Sequence, residues 1–200
     1  MYWVKTTGIG SDMDFLSFLK NYKAFDEEEE AEREAFVQFL EAFGDKAYDR
    51  DNLVGHFSSS CWIVNKDRTK VLMIYHNMYK TWAWVGGHAD GDKDLLHVAL
   101  KETMEETGLA HVRPVLDEPI DLNMMVVHNH YKRGKFVPRH LHPNVVYLLE
   151  ADEAAPIRIK EDENSGVQWV ALEEVKNYCS NDKVMPYYNR IMRKVVERKL

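Results

Sequence analysis

Apolar positions recur with a helical period over the first fifty residues and change to strand-like runs beyond them. Phe15, Leu19 and Tyr22 fall at i, i+4 and i+7, and Phe36, Leu40 and Phe43 repeat the spacing, which predicts two helices. Ser11, with Asp14 three residues on, is the expected capping start of the first. From His56 the runs HFSSSCWIVN and KVLMIY are rich in β-branched and aromatic residues, and NKDR between them is a turn sequence. WAWV is a short strand running into a glycine loop, and a helix follows over about residues 94–107. Further strands are expected at 123–131, 145–150 and 167–171, with KRGK at 132–135 as a turn, and helices at 172–178 and 187–200 close the chain.

Strands on both sides of a central helix, with helices at the two ends, predict a layered α/β or α+β domain. Neither an internal repeat nor a low-complexity linker interrupts it.

Composition adds limits. Two hundred residues with 45% hydrophobic content suffice for a real core, which disfavours disorder. The formal net charge of −7 is unevenly spread: residues 26–34 hold seven acids and one Arg, whereas residues 183–200 hold six bases and one acid. Nothing here makes a basic nucleic-acid-binding domain. The acidic run opens the second helix, where negative charge suits the positive end of the macrodipole, and reads as a solvated face. Cys61 and Cys179 form no CxxC motif and no disulfide framework, so a reducing, cytoplasmic setting is expected. The N-terminus carries no secretory apolar segment. The longest apolar runs are five residues, at 71–75 and 145–149, against the roughly 20 of a membrane helix.

The chemistry concentrates in residues 86–109, GGHADGDKDLLHVALKETMEETGL. On a helix turning about 100° per residue, Glu102, Glu105 and Glu106 share an arc of about 100°. Leu96, Leu100, Thr103 and Met104 lie on the opposite side and are expected to face the core. Like charges at i, i+3 and i+4 repel, and a hard divalent cation with oxygen ligands removes that repulsion. The glycines ahead of the helix let backbone approach such a ligand closely. E-x-x-E-E alone is common on solvated helices; glycine loop, helix, acidic face and closing Gly108-Leu109 in one unit are far more specific.

At these residues the chain resembles the Nudix hydrolases, whose box reads G-x5-E-x7-R-E-U-x-E-E-x-G-U with U aliphatic. Gly87, Glu102, Glu105, Glu106, Gly108 and Leu109 match it with every spacing kept. WAWVGGH, HLHPNVVYLLEAD and ENSGVQWVALEEV also resemble family features, so the likeness covers about residues 56–175. Three positions depart: Lys93 stands for the first Glu, Lys101 for the Arg and Thr103 for the aliphatic residue. The planar fork of the family Arg orients glutamates in a way that lysine's point charge does not reproduce, although Lys101 keeps an i, i+4 pairing with Glu105. Asp92 and Asp94 flank Lys93, and either is a candidate for the missing carboxylate.

The resemblance implies an α/β/α sandwich with a mixed sheet at 53–200, carrying an N-terminal helical extension at 1–52 packed on it. It also implies an Mg²⁺- or Mn²⁺-dependent hydrolase that cleaves the pyrophosphate linkage of a small nucleoside-diphosphate-linked substrate. Carried over by position, Gly87, Glu102, Glu105 and Glu106 would hold metal. Glu102 and Glu106 are the catalytic carboxylates of the box, and Glu102 is one candidate for the base that takes a proton from water. Some family members use a loop Glu beyond the box, which directs attention to Glu161 and Glu163 in KEDENSG, Glu163 being the choice. No nucleic-acid or membrane partner is implied; a homodimer is an expectation by analogy.

Nine histidines include two H-x-H pairs, His128/His130 and His140/His142, each on one strand face if extended. Four imidazoles suffice for zinc. No cysteine sits among them and Pro143 interrupts the second pair, so the reading adopted is that they line a substrate groove or lie on a polar face. His140, His142 and Lys101 are accordingly expected to bind substrate, and His88 to contact a phosphate oxygen. Trp62, Trp82, Trp84 and Trp169 are expected in the core. Arg190, Arg193, Lys194 and Arg198 are read as complementing the dipole of the last helix or reaching a phosphate.

Three rivals remain. Isopentenyl-diphosphate isomerases of the same fold resemble a pattern with Cys before Gly-His, where this chain has Gly86. A catalytically impaired nucleotide-binding or sensor module is the alternative, with Lys93 and Lys101 as its marks, but all three glutamates are retained. A zinc protein built on the H-x-H pairs is the third.

Overall fold

A computed structural model describes residues 14–132 and 134–200; Ser11 lies outside them. The chain divides into two compact units. One comprises the described residues up to Ser59 with His88–Val98 and Leu122–Val145; the other comprises Ser60–Gly87, Ala99–Asp121 and Val146–Leu200.

In the first unit, helix α1 (Phe15–Asn21) begins where the Asp14 side chain accepts the Leu16 N–H at 2.7 Å. Helix α2 (Glu27–Phe43) is capped by Asp26, which accepts the Glu29 N–H at 3.0 Å, and four acids crowd its first turn. The expected apolar stripes are inside: Leu19, Tyr22, Phe36 and Leu40 are buried. They collect around Phe57, whose ring lies 5.7, 5.8 and 5.9 Å from Phe15, Phe36 and Phe39.

The acidic run is not wholly a solvated face. Glu29 is fully buried and accepts from the Tyr22 hydroxyl at 2.8 Å, the Phe25 N–H at 2.7 Å and the Leu122 N–H at 3.1 Å. Glu32 accepts the Met124 N–H at 3.1 Å. Two carboxylates of α2 thus satisfy alternate N–H groups of one strand, a use of charge that helical periodicity does not reveal.

The strands in chain order are β1 (Ser58–Val64), β2 (Lys70–His76), β3 (Thr81–Ala83), β4 (Val85–His88), β5 (Arg113–Pro114), β6 (Asp121–Val127), β7 (His130–Lys132), β8 (Lys135–Val137), β9 (His140–Glu150) and β10 (Asn164–Ala171). The main sheet runs β10-β2-β1-β9-β5, with β3 on β2, β4 on β1 and β6 on β9. Pairings of β2 with β1, β3 and β10 are antiparallel, whereas the bridge Gly55–Leu141 is parallel, so the sheet is mixed. β7 and β8 form a separate antiparallel two-stranded sheet.

β2 carries the apolar run at 71–75, and β1 is buried throughout although its first three residues are serines. WAWV is two strands rather than one. At the break, the Trp84 N–H donates to the Tyr188 hydroxyl at 3.1 Å instead of to a ladder. Of the four tryptophans expected inside, Trp62 and Trp84 are buried, while Trp82 and Trp169 are half-buried. Helix α3 (Leu95–Thr107) precedes β5, and α4 (Val175–Tyr178) and α5 (Met185–Glu197) end the chain. Among the described residues no helix is long and apolar enough to cross a membrane.

Candidate functional site

Helix α3 is locked at several levels. The Cys61 thiol donates to the Ala99 carbonyl at 3.1 Å, and Thr103, fully buried, donates to Ala99 at 2.9 Å. The hydroxyl that replaces an aliphatic side chain in the box is therefore paired, and the departure costs the core little. Gly108, at φ +72°, ends the helix in the left-handed region.

Three carboxylates meet beside this helix. Glu102, Glu106 and Glu163 each offer an oxygen within 4.8 Å of the others. Glu106 is 2% exposed, and one of its oxygens accepts the Gly86 N–H at 3.2 Å. A Cβ built on Gly87 would overlap the Glu102 carboxylate, so any larger residue there must displace that side chain. Glu163 arrives on the loop before β10. There the Lys160 carbonyl accepts the Glu163 and Asn164 N–H groups, both at 2.8 Å. Asn164, fully buried, donates its side-chain amide to the Glu106 carbonyl at 2.9 Å and so ties the loop to α3.

Burial pushes the Glu106 carboxyl up to about 8; the Gly86 N–H opposes this, and the charges of Glu102 and Glu163 add to it. Burial also raises Glu102, with Glu105 and Glu163 contributing. Crowded oxygen donors partly out of water, one of them against glycine backbone, fit a hard divalent cation.

Glu105 stands apart from this trio. It is exposed, and its carboxylate meets Lys160 at 3.1 Å, the same ammonium that pairs with Glu163 at 3.1 Å. Burial works against the Lys160 charge, yet its bonds to Glu163 and Glu105 carry its pKa above the usual range. Lys101 reaches Glu105 only at 3.9 Å, with both side chains about half exposed, a pair worth little. Met104, expected to face the core, is 45% exposed. Glu161 is exposed and outside the cluster. Lys93 pairs with Asp45 at 2.6 Å. Asp94 caps α3 by accepting the His97 N–H at 3.0 Å, and Asp92 holds the His97 ring at 2.7 Å.

The first unit gathers histidines differently from either sequence pair. His140 and His142 share one face of β9 as expected, but their companions are His56 and His88. Half-exposed His130 stays beside His140, with ring centroids 6.3 Å apart, whereas exposed His128 lies 3.3 Å from Arg139. Burial drives His142 down to about 2, and its three histidine neighbours push the same way; burial likewise lowers His56.

His56, Lys160 and Asn164 were not among the expected site residues. Only the H-x-H pairs hinted at a partner for His56, and only the acidic loop drew attention near Lys160.

The model of the NUDIX domain family matches residues 54–194, more than half of the chain. No curated protein matches it in sequence. Among solved structures, a NUDIX-family hydrolase from Clostridium perfringens superposes with TM-score 0.52 at 20% identity, over 69% of this chain and 96% of that one. A Nudix hydrolase from M. smegmatis, RenU, gives TM-score 0.50 at 16% identity, over 72% and 88% respectively. With the box spacing, the carboxylate cluster and the mixed α+β fold in agreement, the chain belongs to the Nudix hydrolase family, whose general activity is hydrolysis of pyrophosphate bonds.

Proposed function

We propose that this chain hydrolyses the pyrophosphate linkage of a small nucleoside-diphosphate-linked substrate, with water attacking phosphorus and Mg²⁺ or Mn²⁺ as cofactor. The observation that carries the reading is Glu106: a carboxylate 2% exposed, crowded by Glu102 and Glu163, is stable as an anion only when a cation joins it.

Glu102 and Glu106, with Glu105 and the Gly87 carbonyl, are the proposed metal-holding groups. A bound divalent cation supplies phosphate charge neutralisation and a more acidic water. Glu163 is the proposed base, since its loop position leaves it half-exposed beside the cluster. Lys160 pairs with both Glu163 and Glu105 and so holds the two carboxylates beside one ammonium. Lys101, half-exposed on the same helix, is the proposed contact for a substrate phosphate. The family match beginning at residue 54 supports reading residues 1–52 as a helical extension of the catalytic domain. Two buried cysteines with free thiols support a cytoplasmic setting.

The test is a phosphate- and nucleotide-release screen over nucleoside-diphosphate conjugates, with and without Mg²⁺. Metal-dependent turnover that disappears in Glu106→Gln is expected. Tight binding without turnover across the panel would overturn it in favour of an impaired binding module, the reading that the loose 3.9 Å Lys101–Glu105 contact favours.

A further inference from the structure

Four imidazoles converge in the first unit, and the proposed hydrolysis gives none of them a role. The His56 ring lies 5.0 Å from His140, 4.7 Å from His142 and 5.1 Å from His88. His142 is 4.8 Å from His140 and 4.9 Å from His88. His56, His140 and His142 are all buried, and each offers a ring nitrogen within 4.8 Å of the others'.

The orientation of the rings is as informative as their proximity. His140 Nδ1 sits 2.9 Å from the Pro138 carbonyl, and His56 Nδ1 sits 3.4 Å from the Asn52 carbonyl. A carbonyl only accepts, so in both rings Nδ1 carries the proton and Nε2 presents its lone pair. This backbone-carbonyl hold on Nδ1 is the arrangement that orients metal-ligating histidines. At the centre of the group, His56 Nε2 is buried and finds no hydrogen-bond partner among the described residues. Burying an unpaired acceptor is unfavourable, and a cation at the centre removes the deficit. The His140 and His142 Nε2 atoms are 3.0 Å apart. Two ligands about 2.0–2.1 Å from a tetrahedral zinc are about 3.3 Å apart, so the two atoms need to separate by only a few tenths of an ångström.

We propose that His56, His140 and His142, with His88 on the fourth side, form a metal site for a divalent transition cation of the zinc type. Donor chemistry sets the class: imidazole nitrogen suits zinc and its neighbours, whereas Mg²⁺ demands oxygen. This site is separate in chemistry from the carboxylate trio and stands whether or not that trio catalyses hydrolysis. It replaces the expectation that His140 and His142 line a substrate groove, and it builds its ligand set from His56 and His88 rather than from His128 and His130.

The experiment uses the full chain, stripped with a chelator and titrated with Zn²⁺ in excess Mg²⁺. One Zn²⁺ per chain is expected, with X-ray absorption of the one-equivalent complex showing at least three imidazole ligands. The Glu102→Gln/Glu106→Gln protein should keep that zinc while losing any hydrolysis, and His140→Asn/His142→Asn should lose the zinc. An oxygen-dominated shell around zinc in the unaltered protein, or no binding that survives Mg²⁺ competition, overturns the proposal. Because the absorption measurement needs no variant, misfolding of the histidine double variant does not blunt the test.

Discussion

Arg190 grips Asp121 through Nε and a terminal nitrogen, each at 2.8 Å, where the side chains are only 3% and 0% exposed. Lys194, one helical turn on, places its ammonium 2.8 Å from the same carboxylate and 2.7 Å from the Ile120 carbonyl. Two of the four bases read as a dipole complement or a phosphate contact are therefore an internal ion network that fastens α5 to the start of β6. The bidentate geometry explains why arginine occupies position 190.

Removing the shared anion strands two buried cations. Asp121→Asn is expected to destabilise the protein by about 3–5 kcal/mol, the cost of breaking a buried pair from one side. Arg193→Ala, on an exposed side chain of the same helix, should fall within about 0.5 kcal/mol of the parent. Urea unfolding of the two variants checks this; equal midpoints would refute it.

Glu163→Gln separates the proposed base from the proposed metal-holding groups. A lost general base lowers kcat by about 10²–10⁴-fold and leaves KM and Mg²⁺ dependence nearly unchanged. Should Glu163 serve mainly to bind metal, the Mg²⁺ concentration for half-activity would rise instead. Steady-state kinetics at several Mg²⁺ concentrations distinguish the two.

Gly87→Ala inserts a methyl where the Glu102 carboxylate sits. Displacing that carboxylate should weaken divalent-cation affinity by about 10-fold or more, the scale of losses when ligand-orienting groups are disturbed. Calorimetric titration of Mn²⁺ into both proteins is the measurement, and an unchanged Kd would mean that Glu102 does not hold metal in this position.

Acidity supplies opposite signs at two carboxylates. Glu106 has its folded pKa raised from 4.5 to about 8, so its contribution to metal-free stability is full below 4.5 and is lost as pH climbs toward 8. Cation binding must displace that proton, so affinity should increase with pH and level off above about 8. Glu150 is the reverse case: hydrogen bonds from Arg68, then Arg113, hold it below the usual range, and its contribution is lost as the solution is acidified through its folded pKa. Thermal melts across pH, with EDTA and with Mg²⁺, should show stabilisation by Mg²⁺ growing between pH 6 and 8, and in Glu106→Gln that growth should vanish.

Much of the site is legible in the residue order. The spacing from Gly87 to Leu109 is local: a helix of known pitch places Glu102 and Glu106 on one side, and a glycine before it admits a carboxylate against backbone. The H-x-H step put His140 and His142 on one face for the equally local reason that strands alternate. Helical period likewise marked Leu19, Phe36 and Leu40 as interior.

Where a partner comes from another part of the chain, period says nothing. Lys160 reaches Glu105 across 55 residues, and Asn164 anchors its loop to Glu106 across 58, because β10 pairs with β2 and carries that loop to α3. Glu29 and Arg190 look like ordinary surface charges on helices until a strand from elsewhere supplies backbone N–H groups to one and Asp121 to the other. Residue order is enough to say which side chains share a face, since dihedral geometry repeats within one element. Which charges are buried, and against what, follows from folding alone, since burial energies are set by groups that the fold, not chain order, makes neighbours.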